Sequence, residues 1–422
     1  MTSWRREPLG ALGTWFGGGT PSKSRTDYWQ DGHVPWLSPK DMGKEVLTAT
    51  RDHVTDAAIA GSATRLVQPN SVAVVVRSGI LERTIPVAVV PFATTLNQDM
   101  KAIECRPDVD PRWVAWGLRA SERDLLRTAR KAGTTVASLE WPRFLKWELP
   151  VPALDEQQRI VNILEDHLSR LDAADATLRA VVDKSRALEQ SVMDQLVWSI
   201  GAPTRTVEEL LREPMRNGFS ARASTNGDVR ILTLSAVTRR TFSDEFTKLT
   251  TADKDRVKNL WLEPGDILVQ RSNTPELVGS CALYQGPPDW AVFPDLLIRL
   301  RTDPDQVRPE YLCRVLQTER SHRALRAKAK GLAGSMPKVD QGAIGSLPVP
   351  TLTSDEQTAL LERIAEYDTA VGGLDAAVDI ATRRSSSLRR ALLAAAFSGR
   401  LTGRSSNLDL AEEMSEQEVP VS

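Results

Sequence analysis

Two runs of basic side chains are the residues of this chain best suited to grip a ligand. Arg119, Arg123, Arg127, Arg130 and Lys131 recur at near-helical spacing, and Arg320, Arg323, Arg326, Lys328 and Lys330 follow about 200 residues later. Cations repeated along one face neutralise successive phosphates, which gives salt-dependent affinity and register but selects no sequence. One basic face is ordinarily just solvated; two at matching places weigh toward a polyanion. A glycine-containing loop follows each run, Gly133-Thr134-Thr135 in the first and Gly331 to Ser335 in the second. Selecting a sequence needs side chains that reach base edges from loops, and Lys23, Arg25, Lys40, Arg222, Arg239 and Arg240 are the candidates, with Arg77 and Arg271 as further DNA-binding residues. The eleven tryptophans are expected mainly in the cores, with base stacking the lesser reading.

Catalytic groupings are absent by the same test. No GxxxxGK[ST] run cradles a nucleotide, and no GxSxG run presents a nucleophile. No Asn/Asp-Pro-Pro-Tyr/Phe run is there to grip a flipped base. Gly17-Gly18-Gly19-Thr20 lacks the strand-then-helix context of a phosphate cradle and reads as a turn or a substrate-facing loop. Pro294-Asp295 has no Asp/Glu-x-Lys placed to complete a metal-nuclease site. The acidic pairs Asp155/Glu156 and Asp355/Glu356 stand at helix starts, where the helix dipole favours negative charge. Cys105, Cys281 and Cys313 are far apart and the four histidines lack ligand spacing, so neither a disulfide framework nor a metal site is expected. The chain is read as a non-enzyme with no cofactor of its own.

These residues are positioned by a duplicated architecture. Leu149-Pro150-Val151-Pro152 returns as Leu347-Pro348-Val349-Pro350 at an offset of 198, and Asp155-Glu156-Gln157 as Asp355-Glu356-Gln357 at 200. Val76-Arg77-Ser78 aligns with Gln270-Arg271-Ser272 at 194. Each copy runs in the same order: short strands, a helical basic stretch (Pro111–Lys131; Pro309–Lys330), a loop, Leu-Pro-Val-Pro, then a long helix. From Asp155 to about Val197 there is no Gly or Pro, and Val161, Leu164, Leu168, Leu171 and Leu178 form one stripe. The second helix carries Leu361, Ile364, Val371, Leu374 and Val378, with Gly372-Gly373 expected to mark a bend or a thin contact. Such length exceeds what one module needs, so the two helices are expected to pair antiparallel rather than each to pack on its own module.

Composition agrees once it is divided. The 422 residues carry a net charge of −1, which alone says nothing of nucleic acid. By segment the charge is +4 over 1–150, −4 over 151–200, +4 over 201–350 and −5 over 351–422. Basic modules therefore alternate with acidic helices. No leader or membrane span is legible, and the cytoplasm is the expected compartment. The segments are a first module at 1–152, a helix at 153–200, a second module at 201–350, a helix at 351–403 and an acidic, disordered tail at 404–422.

Gly18-Gly19-Thr20-Pro21-Ser22-Lys23, then Tyr28-Trp29, Val34-Pro35-Trp36-Leu37 and Lys40-Asp41, resembles the opening of a type I restriction–modification specificity subunit. The doubled Leu-Pro-Val-Pro and Glu-Gln-plus-helix element resembles that family across the whole chain. The resemblance implies two mixed α/β target recognition domains alternating with two long antiparallel coiled-coil helices in a pseudo-twofold repeat. It implies double-stranded DNA as ligand, each domain reading half of a split target while the helices set the spacer. It also implies two modification (methyltransferase) subunits and restriction (translocase/endonuclease) subunits as partners, carrying S-adenosylmethionine, ATP and Mg. The second module opens with Met215-Arg216-Asn217-Gly218-Phe219-Ser220 instead, so its half-site is expected to differ. A coiled-coil scaffold that binds proteins, and a DNA reader of another modification-based defence system, stand as the alternatives.

Overall fold

Unbroken apolar runs between turn residues dictate buried strands, and Ser71–Val75 and Val87–Val90 are buried at every position. The computed structural model describes residues 4–131, 136–238, 240–331 and 336–401. They fall into two compact units, 1–178 with 379–422, and 179–378. Each unit thus holds one globular module together with part of both long helices, instead of setting the helices apart.

In unit one, Gly13–Gly17, Met100–Cys105, Ser71–Val75 and Val87–Val90 make an antiparallel sheet in that order, with Val72 facing Ile103 and Val89. Alternation divides its side chains: Val72, Val74, Val87 and Val89 enter one core, and Ala73, Val75, Ala88 and Val90 enter another. A mixed sheet follows in the order Asp52–Val54, Val34–Leu37, Thr94–Leu96, Leu66–Val67. Arg5–Pro8 pairs with Glu148–Val151, so the Leu-Pro-Val-Pro segment becomes an edge strand ahead of the long helix.

Unit two repeats the plan. Arg216–Asn217, Leu297–Leu300, Ile267–Gln270 and Cys281–Leu283 form the equivalent sheet in the same order, and Thr204–Thr206 pairs with Pro348–Pro350. The register corrects the sequence alignment by one residue. Arg77 bridges Ser138, and Ser272, not Arg271, bridges Lys338.

Buried hydrogen bonds carry the duplication further than identity does. Gln157 Oε1 accepts from the Asp110 amide at 2.9 Å, and Nε2 donates to the Pro152 carbonyl at 2.8 Å. Gln357 does the same with the Arg308 amide and the Leu352 carbonyl, at 2.9 Å each. Both side chains are buried, where an unmatched amide would be costly, so each ties its module to its helix. Trp113 Nε1 donates to the Pro150 carbonyl at 2.9 Å, and the Tyr311 hydroxyl donates to the Pro350 carbonyl at 2.8 Å. Different side chains make the same bond.

The long helices span Leu154–Trp198 and Ser354–Phe397. Thr353 and Glu356 cap the second reciprocally: the Thr353 amide donates to Glu356 Oε2 at 2.8 Å, and the Glu356 amide to Thr353 Oγ1 at 3.3 Å. The Thr353 amide, together with the Thr353 hydroxyl that also donates to Glu356 Oε2, holds the Glu356 carboxyl below its ordinary range. In unit one, Val161, Leu164 and Leu168 are buried with Leu392, Ala395 and Ala396, and Leu171 is partly buried beside them. Each fully buried leucine contributes about 1.5–3 kcal/mol over exposure. Numbers run in opposite directions, since Arg389 reaches Asp172 at 2.7 Å and Asp175 at 2.9 Å while the later Leu392, Ala395 and Ala396 share a core with the earlier Val161, Leu164 and Leu168. In unit two, Ile364 and the partly buried Leu361 share a core with Met193 and Val197.

Several expectations change. Gly372-Gly373 lies within continuous helix, with no break. Leu178, Val371 and Val378 are half-buried, and Leu374 is 38% exposed instead of packed. Pro111–Lys131 is not one helix: Pro111–Ala120 and Glu122–Ala129 are separate, and Arg130–Lys131 is a strand. The expected tail, 404–422, lies outside the described residues. Among the described residues, no helix is long and apolar enough to cross a membrane.

Candidate nucleic-acid interface

The glycine run folds as it does because a strand turn presses against it. A Cβ on Gly18 would lie 1.8 Å from the Asn97 carbonyl oxygen, so only glycine fits. The Gly18 and Gly19 amides donate to the carbonyls of Met100 (3.3 Å) and Leu96 (2.8 Å). Trp36 Nε1 and Thr64 Oγ1 both donate to the Gly19 carbonyl. With both amides consumed the run cannot cradle a phosphate; it holds the following residues rigidly at the surface. There, the exposed Thr20 hydroxyl donates to Oε1 of exposed Gln98.

Gln98 sits at the tip of Asn97-Gln98-Asp99, fixed by a 2.7 Å bond from the Asp99 amide to Asn97 Oδ1. Asp99 accepts Arg77 Nε at 2.5 Å, and Arg77 bridges Ser138 in the hairpin that pairs Arg130–Lys131 with Ser138–Leu139. Thr20, Gln98, Asp99, Arg77, Arg130 and Lys131 therefore form one linked surface. Lys101 adjoins it, its ammonium 4.7 Å from the Trp141 ring centroid and pushed down by burial.

Unit two builds the same surface from different residues. The Gly218 and Phe219 amides donate to the carbonyls of Leu297 (3.2 Å) and Phe293 (2.9 Å), as those of Gly18 and Gly19 do to Met100 and Leu96. A Cβ on Gly218 would meet the Phe293 and Pro294 carbonyls at 2.2 Å. The Ser220 hydroxyl donates to Asp295 Oδ1, in the places of Thr20 and Gln98. Arg271 donates its amide to the Leu296 carbonyl at 2.8 Å, Ser272 bridges Lys338, and Lys338 pairs with Lys330. Lys330 also reaches Asp340 at 3.0 Å; the Ala343 amide, with help from Lys330, holds that carboxyl below its usual range. The differing start of the second module is thus the same loop in another sequence.

The other candidate cations scatter. Lys23 and Lys40 are exposed on turns, Arg222 is exposed in a loop, and Arg123 is exposed on its helix. Arg25 is held by Asp27 and lies 4.3 Å from the Tyr28 ring centroid, and it depresses the Asp27 carboxyl. Arg127 pairs with Asp124 at 3.1 Å. Arg119 leaves the expected stripe altogether, donating to the Val87 carbonyl at 2.6 Å. In unit two, Arg323 and Arg326 pair with Glu319, Lys328 donates to Ser346, and Arg320 lies over Trp198. Arg240 is taken up in packing, donating to Gln190 Oε1 at 3.1 Å and the Gln317 carbonyl at 3.0 Å. Thr134, Thr135, Arg239 and Ser335 lie outside the described residues.

The residues overlooked in sequence are Gln98, Lys101, Lys338 and Arg256, the last 4.5 Å from the Phe219 ring centroid, while Thr20, Ser220 and Asp295 stand out there only within other motifs and not as parts of this surface. The signal existed, since Gln98 and Asp295 stand 197 apart, close to the repeat period. Asn97-Gln98-Asp99 and Pro294-Asp295-Leu296 share no residue, so only geometry aligns them. Among the described residues, no group of three or more His, Cys, Asp or Glu is placed to hold a metal ion.

Residues 1–182 match the family described as type I restriction modification DNA specificity domain. The EcoR124I/EcoR124II specificity subunit of Escherichia coli is 42% identical over 157 residues, which are 37% of this chain and 39% of that protein. The StySPI specificity subunit of Salmonella potsdam is 23% identical over 430 residues, covering 96% of this chain and 91% of that protein. A solved structure described as the structural basis of complex assembly and conformational transition of the type I R-M system aligns with a TM-score of 0.73. That alignment is 14% identical and covers 95% of this chain and 99% of that one, a likeness of fold.

Proposed function

We propose, from the match of residues 1–182 to the type I restriction modification DNA specificity domain, that the chain is the DNA-recognition subunit of such a complex, each module reading one half of a bipartite target. The observation that carries this reading is the linked surface built twice, from Thr20, Gln98, Arg77, Arg130 and Lys131 in one unit and Ser220, Asp295, Lys330 and Lys338 in the other. Basic residues around a rigid polar turn suit the two tasks of a DNA reader, holding phosphates and questioning base edges. The long helices are proposed to set the spacing between half-sites. Their exposed Val181, Leu188, Leu374 and Ile380 are proposed as ground for the modification subunits. Methyl transfer and cleavage, with S-adenosylmethionine, ATP and Mg, are assigned to modification and restriction subunits and not to this chain.

Charge reversal tests the surface. In the complex, Arg130→Glu with Lys131→Glu is expected to weaken duplex binding on target and non-target DNA alike. It is also expected to flatten the slope of log affinity against log salt by about 2, near 0.9 per lost phosphate contact. An unchanged slope from filter-binding titrations would place the phosphate contacts elsewhere. Retention competed equally well by a target oligonucleotide and by its scramble would favour the protein-binding scaffold instead.

A further inference from the structure

The duplicated turn differs in one chemically decisive way. At equivalent tips, unit one exposes the amide of Gln98 and unit two exposes the carboxylate of Asp295, each oriented by a hydroxyl on the glycine loop, Thr20 or Ser220. The Asp295 amide also donates to Ser220 Oγ at 3.4 Å, closing the pair into a small ring. Among the described residues, neither Gln98 Nε2 nor Asp295 Oδ2 has a hydrogen-bond partner. A bare carboxylate on a phosphate-binding face is repelled by the backbone, so it weakens non-specific binding unless it meets an amino group. Base edges supply one.

We propose that Gln98 and Asp295 are specificity-determining residues that read one base each, in the half-sites of the first and second modules respectively. The inference rests on the DNA-reading function proposed above. Gln98 keeps a free donor next to an acceptor with a spare lone pair, the pattern complementary to N7 and the N6 amino group of adenine in the major groove. Asp295 offers acceptors only, which suits the N4 amino group of cytosine. Thr20 and Ser220 are positioning residues that fix the two side chains.

The test maps methylated sites in cells producing the complete complex with the wild-type chain, Gln98→Ala, Gln98→Glu or Asp295→Asn. Gln98→Ala is expected to reduce preference at one base pair of one half-site roughly 10- to 100-fold. Gln98→Glu, which loses the donor, should move preference at that same base pair from adenine toward cytosine. Asp295→Asn should change one base pair of the other half-site alone. A target unchanged in both Gln98 variants, or in Asp295→Asn, overturns the assignment for that residue. So does complete loss of modification by variants that still fold and assemble, because it would signal a role beyond reading one base. If the wild-type chain itself directs no split target, the DNA-reading function fails, an outcome separate from these.

Discussion

Inserting seven residues after Leu178 and seven after Val378 should lengthen the spacer of the recognised DNA and leave both half-sites as they were. Leu154–Trp198 and Ser354–Phe397 are continuous helices that cross from one compact unit to the other at these positions. A heptad adds about 10 Å of helix, close to three base-pair steps at roughly 3.4 Å each. It also keeps the apolar stripe within about 20° of its original face, so the packed segments stay in register. The insertion points lie where side chains are exposed or half-buried, and the buried stripes of Val161–Leu168 and Leu360–Ile364 remain intact. Inserting into one helix alone should instead disrupt packing. Methylation mapping reads the result directly; an unaltered spacer would remove the helices from the role of ruler.

The second large effect concerns two glycines. Gly18→Ala and Gly218→Ala are each expected to destabilise their own unit by about 1–3 kcal/mol, the usual cost of forcing atoms into filled space. They should also abolish recognition of the corresponding half-site. The clash is with backbone carbonyls at 1.8 and 2.2 Å, which cannot rotate away as a side chain could. Relief requires the turn bearing Gln98 or Asp295 to move. Gly372 and Gly373 have open space where a Cβ would stand, so alanine there should stabilise the helix by about 0.5–1 kcal/mol each. Thermal melts of the four variants, beside duplex binding, check the contrast. A Gly18→Ala chain as stable and as selective as wild type would contradict this account of the loop.

Much of the fold was legible because the repeat leaves sequence traces wherever the backbone demands a residue type. Leu-Pro-Val-Pro must be an edge strand that stops before a helix, and the buried glutamines must match amide donors, so both survive in each copy. The long helices were legible from their periodicity. The candidate surface was less so, because a surface turn fixes geometry and leaves side chains free to vary. Thr20 with Gln98 and Ser220 with Asp295 share a bond and no residue. Counting cations is limited in both copies for a related reason: spacing shows where a charge sits and not whom it meets. Arg323, Arg326 and Lys330 all meet acids of their own unit.

The central claim is that one chain carries two separate readers. Single-molecule methylome sequencing of the host with and without this gene tests it most directly. The account predicts an interrupted target, two short words at fixed separation, that loses its methylation when the gene is deleted. A continuous target, or a methylome that the deletion leaves unchanged, would contradict it.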